Sequence, residues 1–229
     1  MSKFEIFFNI DIKNFKLNVF IIDTNSEDIL LTKDFKFDKY QYSNFLIIDK
    51  INNILKKLIL EIEKHLDASV SKINLMIEQE NSYKIDLSIK KNFENKIIDK
   101  KNIEYLIQDL RQQLLTNNPD KKFIHILVKK CIVDSEEYNI IPIGNKCKNF
   151  IIDLSFIHIP KKLLNELERL FSEHQMFINK VICTNYAKTL IVTEFDNLSK
   201  AGLNIIKGSN LNEIGVIPKK IKKIGFFEK

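Results

Sequence analysis

The 229 residues contain no tryptophan and little glycine (five), proline (four) or cysteine (three). So few glycines leave little from which to build a backbone cradle for phosphate, and neither GxxxxGK[ST] nor GxGxxG occurs. Cys131, Cys147 and Cys183 form no CxxC pair, and none stands beside a histidine at ligand spacing. They read as reduced, buried thiols. His65, His125, His158 and His174 are scattered, with no HExxH or comparable pair, so no metal is expected. No apolar run approaches the roughly 20 residues that span a bilayer. The opening Met1-Ser2-Lys3-Phe4 has no apolar block or cleavage site of a secretory signal, which gives the expectation of a cytoplasmic chain.

Arginine is also scarce. Arg111 and Arg169 are the only two, so the net charge of +6 is carried by lysine. Guanidinium is the group suited to bidentate phosphate and guanine contacts, and its scarcity argues against a nucleic-acid partner. A lysine-rich nucleic-acid-binding α/β protein stands as the alternative reading. The charge is uneven, because residues 219–229 hold five lysines and one glutamate, which leaves +2 for everything before them.

Hydrophobic residues make up 45% of the chain, ample for a buried core. Phe4, Ile6, Phe8 and Ile10 alternate, as do Leu17, Val19 and Ile21, which predicts a hairpin; a third strand follows from Ile29 to Phe37. The period then changes to that of a helix. Ile51, Ile54, Leu55, Leu58, Ile59, Ile62 and Leu66 share one face, with Asp49 as the expected N-cap. Ile73–Ile77 and Tyr83–Ile89 read as strands. A second helix from Asp99 carries Ile103, Leu106, Ile107, Leu110 and Leu114 and ends at Asn117-Asn118-Pro119-Asp120. Phe123–Val133, Tyr138–Ile143 and Phe150–Ile159 read as strands, with a Gly144-Asn145 turn. Pro160 suits the first turn of a third helix bearing Leu163, Leu164, Leu167, Leu170 and Phe171. A strand over Ile178–Cys183 and a short helix from Tyr186 to Val192 follow. The fold class is mixed α/β (α+β), with no internal repeat.

Residue patterns that carry catalysis are missing. Asp153, Ser155 and His158 are near neighbours, yet they alternate along a strand with no Gly-x-Ser-x-Gly elbow around the serine. Glu61, Glu63, Glu166 and Glu168 read as solvated helix faces. No catalytic residue and no cofactor are assigned, and the chain is expected not to be an enzyme.

The last residues are distinctive. Ile217, Ile221 and Ile224 fall at i, i+4 and i+7, with Lys219, Lys220, Lys222 and Lys223 between them and Phe226-Phe227 at the end. Such a segment can lie in a membrane interface with its lysines near anionic headgroups. The other reading is a disordered lysine-rich tail that keeps the chain soluble.

The order of elements resembles FtsA, the actin-like family that tethers the FtsZ polymer to the bacterial inner membrane. Phe8-Asn9-Ile10-Asp11-Ile12-Lys13-Asn14 to Val19 is similar to the family's opening strand and phosphate hairpin, written Gly-Leu-Asp-Ile-Gly-Thr-Ser-Lys-Val. Asp49 to Glu80 resembles the helix and strand that lead into the family's inserted subdomain. Asp99-Lys100-Lys101-Asn102-Ile103, Phe123–Leu127 with Tyr138-Asn139-Ile140, Asn149–Leu154, the helix from Pro160 and Phe177–Ile182 resemble the insert and its exit. Asn185-Tyr186-Ala187 resembles the return to the first subdomain.

The resemblance implies a partial actin-like (ribonuclease H-like) lobe over 1–79 and 182–200, an inserted α+β subdomain over 80–181, and a basic amphipathic tail over 201–229. It implies a divisome adaptor at the cytoplasmic face of the inner membrane. Its partners would be FtsZ or later division proteins, with self-association possible, and Ile217, Lys219, Lys220, Ile221, Lys222, Lys223, Ile224, Phe226 and Phe227 would touch lipid. The departures concern nucleotide. Lys13 stands where the family has the glycine that lets backbone approach a phosphate. No Asp-x-Gly-Gly-Gly-Thr loop and no second lobe follow Val192, so ATP is expected neither to bind nor to be hydrolysed.

Overall fold

The computed structural model describes residues 3–38, 46–78, 84–192 and 197–214. Two sheets organise them. The first is built from β1 (Phe4–Asp11), β2 (Lys16–Asp23), β3 (Ile29–Lys36), β4 (Lys72–Glu78) and β9 (Phe177–Cys183), in the order β3-β2-β1-β4-β9. The first three pair antiparallel, while β4 runs parallel to β1 and β9 parallel to β4. Three antiparallel strands followed by two parallel ones give the mixed α+β sheet that the sequence suggested.

The lobe buries both faces of its sheet, which is why β1 and β4 are near-continuous apolar runs. Ile6, Phe8 and Ile10 of β1, with Leu17, Val19 and Ile21 of β2 and Ile73, Leu75 and Ile77 of β4, pack beneath α1 (Leu46–Leu66) and α3 (Lys161–Glu173). Phe8 meets Phe171 of α3 edge to face at 5.2 Å between ring centroids. The other face carries Phe7, Phe20, Ile22 and Met76, covered by α4 (Thr184–Thr189), α5 (Leu198–Lys207) and Ile157. Gly202 of α5 lets the helix axis come close, since a Cβ there would stand 2.8 Å from Cε1 of Phe7.

The second sheet has the order β5-β8-β6-β7, from β5 (Lys84–Ile97), β8 (Lys146–Pro160), β6 (Lys121–Val133) and β7 (Glu136–Tyr138). β5 and the first half of β8 alternate, because one face packs on α2 (Lys100–Asn117) and the other is largely open there, whereas Leu154–Ile159 of β8 are buried on both faces. Ile103, Ile107, Leu110 and Leu114 of α2 lie over Phe150, Ile152, Leu154 and Phe156 of β8. Asp99 caps α2 by accepting the Asn102 N–H at 2.7 Å. The irregularities fall on the partners of β8: β6 has one extra residue between Phe123 and His125 and another between Val128 and Lys130. On β5 the extra residues fall between Asn92 and Lys96, where Glu94 and Asn95 have positive φ.

Several expectations are corrected. The inserted subdomain was expected over 80–181, whereas the second sheet itself ends at Pro160. The apolar stripe of α3 and the strand β9 both join the first sheet, because Leu164, Leu167, Leu170 and Phe171 fill its core and β9 pairs with β4. The region from 201 does not begin as a tail. Asn197 caps α5, whose Ala201, Leu203 and Ile205 are buried, and Gly208 closes it in the left-handed region at φ 71°. Asp49 sits in the first turn of α1 instead of capping it, Pro160 occupies the cap position before α3, and the strand expected over 138–143 is the short β7.

Candidate functional site

The turn joining β1 to β2 holds the residues that the sequence matched to a phosphate hairpin, so it is the first place to look. Ile12 and Phe15 of that turn are buried in the first core, with Phe15 at φ 50°, while Lys13 and Asn14 face solvent. The Asp11 carboxylate is used within the turn: it accepts the Asn14 backbone N–H at 3.0 Å and the Asn14 side-chain N–H at 2.8 Å. This is an Asx-type closure, in which a side chain does the work of a backbone turn. Asp11 lies opposite Glu78 in the parallel ladder, and Glu78 is matched by Lys188 at 2.6 Å. Behind them a polar row crosses the sheet. Thr184 donates to Asn9 at 2.7 Å, Asn9 to Asn18 at 3.2 Å, and Asn18 to Asp34. These are side chains satisfying one another beneath a loop that is folded onto itself.

A second polar cluster lies in the seam between the sheets, and sequence reasoning missed it. His125 of β6 is 1% exposed. Its Nε2 accepts the backbone N–H of Cys183 in β9 at 3.0 Å, so Nδ1 carries the proton and donates to Glu213 at 2.8 Å. Tyr186 of α4 donates to the other Glu213 oxygen at 2.8 Å and accepts from Asn210 at 2.7 Å. The imidazole and phenol rings stand 4.8 Å apart. Burial works against the Glu213 carboxylate, but the hydrogen bonds of His125 and Tyr186 and the positive charge of Lys180 hold it below the ordinary glutamate range. Burial, with Glu213 alongside, pushes the Tyr186 phenol up.

Glu213 reaches this position because residues 210–214 lie along β6 as a strap. Val128 N–H donates to Asn212 C=O and Ile214 N–H to Ile126 C=O, each at 2.8 Å, and Leu127 pairs antiparallel with Glu213. The signal that could have found the approach to the strap is the helical spacing of Leu198, Ala201, Gly202 and Ile205 between Asn197 and Gly208.

The other sequence candidates separate. Ser155 donates to Asp86 at 2.6 Å on one face of β8, whereas His158 packs edge to face on Phe123 on the other, so the suspected trio is never assembled. Burial foremost, with Lys121 nearby, lowers the His158 pKa. His65 donates to the Leu30 carbonyl and His174 pairs with Asn52. Among the described residues no three His, Cys, Asp or Glu gather to hold a metal. The three cysteines are free and buried, and burial pushes the Cys131 thiol up to about 11. The expected lipid contacts, Ile217, Lys219, Lys220, Ile221, Lys222, Lys223, Ile224, Phe226 and Phe227, lie outside the described residues. No helix among the described residues is long and apolar enough to cross a membrane.

No protein-family model matches the chain, and no curated protein does. Among solved structures it is similar to a PilM-PilN type IV pilus biogenesis complex, with 7% identity over 82% of this chain and 48% of that one, at a TM-score of 0.47. It is also similar to a Bacteroides thetaiotaomicron protein with an actin-like ATPase fold and unknown function, with 13% identity over 82% of this chain and 55% of that one, at a TM-score of 0.33. The chain spans about half the length of these structures.

Proposed function

We propose that this chain is a non-catalytic actin-like adaptor of the bacterial divisome, holding division proteins at the cytoplasmic face of the inner membrane. The observation that carries the non-catalytic part is the closed β1–β2 turn. A carboxylate that in an ATPase would face a nucleotide-bound cation is engaged by Asn14, and the preceding residue of that turn is a lysine in place of glycine. With no flexible glycine backbone to wrap a phosphate, the lobe acts as a scaffold. The adaptor part is supported by the FtsA-like order of elements and by a second sheet whose outer strand β5 pairs only with β8 among the described residues. An exposed strand edge of this kind is a surface for protein partners. Lysines and isoleucines over 217–227 supply the membrane contact in this reading.

Two binding measurements on one preparation test it. Equilibrium dialysis with labelled ATP is expected to show no saturable binding, and micromolar affinity would sink the non-catalytic reading. Sedimentation with FtsZ polymers and anionic liposomes is expected to pellet the chain, with the lipid share lost on removing residues 217–229. Failure to pellet with either sinks the adaptor reading.

A further inference from the structure

β5 forms an edge of the second sheet, and from Lys84 to Asn92 it runs in unbroken register on β8 with Ser88 at the midpoint. Its side chains sort by face. Lys84, Asp86, Ser88, Lys90 and Asn92 are exposed on one side, whereas Ile85, Leu87, Ile89 and Lys91 are half-buried on the other. The three apolar residues border the core beneath α2 and are only partly covered by it. An apolar stripe on the last strand of a sheet stays half-open until another strand is laid beside it. On the open face Asp86 is held in place, accepting Ser155 at 2.6 Å and Lys129 at 2.7 Å. A carboxylate so placed still has lone pairs for a further cation.

We propose that two copies of this chain pair antiparallel through β5, about a two-fold axis that passes through Ser88 perpendicular to the sheet. Such an axis keeps the faces of the two sheets aligned, so each residue meets one of its own face. With the axis at Ser88, Asp86 of each copy faces Lys90 of the other and Leu87 faces Ile89. Ile85 faces the aliphatic stem of Lys91, whose ammonium lies 5.5 Å from the centre of the Phe93 ring. Neighbouring registers are worse. An axis at Leu87 sets Lys84 against Lys90, one at Asp86 sets two carboxylates together, and one at Lys90 sets two ammoniums together. An axis at Ile89 runs the pairing into the irregularity between Asn92 and Lys96. Facing opposite charges stabilise a ladder and facing like charges oppose it. Edge lysines ordinarily guard a strand against pairing; these leave one register open, and a second copy presents the required order of charges by symmetry. The proposal rests on the exposed β5 edge of the adaptor reading and names its partner. Neither nucleotide binding nor sedimentation with FtsZ reports on this pairing, so either reading can fail without the other.

Light scattering coupled to size exclusion, over a rising concentration series, is expected to take the full chain from the mass of one copy to twice that mass. Lys90→Asp sets carboxylates against each other in this register, and Asp86→Lys sets ammoniums against each other, so each variant alone is expected to stay a single chain. Mixed, the two variants restore both opposite-charge pairs and are expected to double in mass again, a rescue that loss of folding cannot produce. An unaltered chain that stays single at every concentration leaves the edge to a partner of another sequence and overturns the proposal. So does a dimer that both variants leave intact, or a mixture of folded variants that stays single. Asp86→Lys also loses Ser155 and Lys129; should it fail to fold, cysteine placement gives the second arm. Ser88→Cys, at the axis, is expected to cross-link to its own copy on mild oxidation. Asn92→Cys, whose two copies stand about 26 Å apart in this register at about 3.3 Å per residue, is expected not to. Equal cross-linking of the two, or none at Ser88→Cys, overturns the pairing.

Discussion

The two sheets solve the burial problem differently. The first is covered on both faces, by α1 and α3 on one side and by α4, α5 and Ile157 on the other. The second rests one face on the single helix α2. A residue pointing into the first sheet is therefore boxed in by neighbours that are themselves held from behind, while α2 can settle into a void left beneath it. Cavities that cannot collapse cost most.

Matched truncations would break this comparison if it is wrong. Leu58→Ala in α1 and Leu110→Ala in α2 remove the same atoms from positions 2% and 7% exposed. Urea denaturation is expected to place both within about 2–5 kcal/mol, with Leu58→Ala at the upper end; equal costs would show that the number of covered faces does not matter. Next in size is Gly202→Ala. Its methyl would meet the Phe7 ring at 2.8 Å, and overpacking of this sort is expected to cost about 1–3 kcal/mol. Because Phe7 is pinned in the first sheet, a shift in the unfolding midpoint larger than that of any single alanine substitution on the exposed side of α2 sharpens the contrast. Smallest is Asp99→Ala, which removes the α2 cap at a cost of about 1 kcal/mol. Hydrogen exchange is expected to quicken over residues 100–104 and to leave α1 unchanged.

The sequence made local periods legible and left their destinations hidden. The alternation in β1 and β2, the stripe of α1 and the cap at Asp99 each reflect a nearest-neighbour preference of the backbone, and each is found in the fold. The stripe of α3 says that the helix buries Leu164, Leu167 and Leu170, but not against which sheet. That choice is made by β9, whose parallel pairing with β4 is decided by residues a hundred positions away. The turn at Asp11–Lys13 was readable because glycine's absence is a local fact. His125 was not, since its partners Cys183, Tyr186 and Glu213 come from three separate stretches and an isolated histidine in a strand carries no sign of them. Reading 201–229 as one basic tail also masked the order in residues 208–214, which hold no lysine and whose backbone pairs with β6.

One strand ties these regions together. β8 runs fifteen residues without an extra residue of its own, every irregularity being absorbed by β5 or β6. At about 3.3 Å per residue it spans roughly 50 Å. It plants Phe150 to Phe156 in one hydrophobic cluster, Ile157 in a second and Ile159 in a third before passing directly into α3. Such a strand is the spine of the molecule: a load taken up at its outer end, near Lys146, has no joint at which to dissipate until it reaches the helix beneath the first sheet.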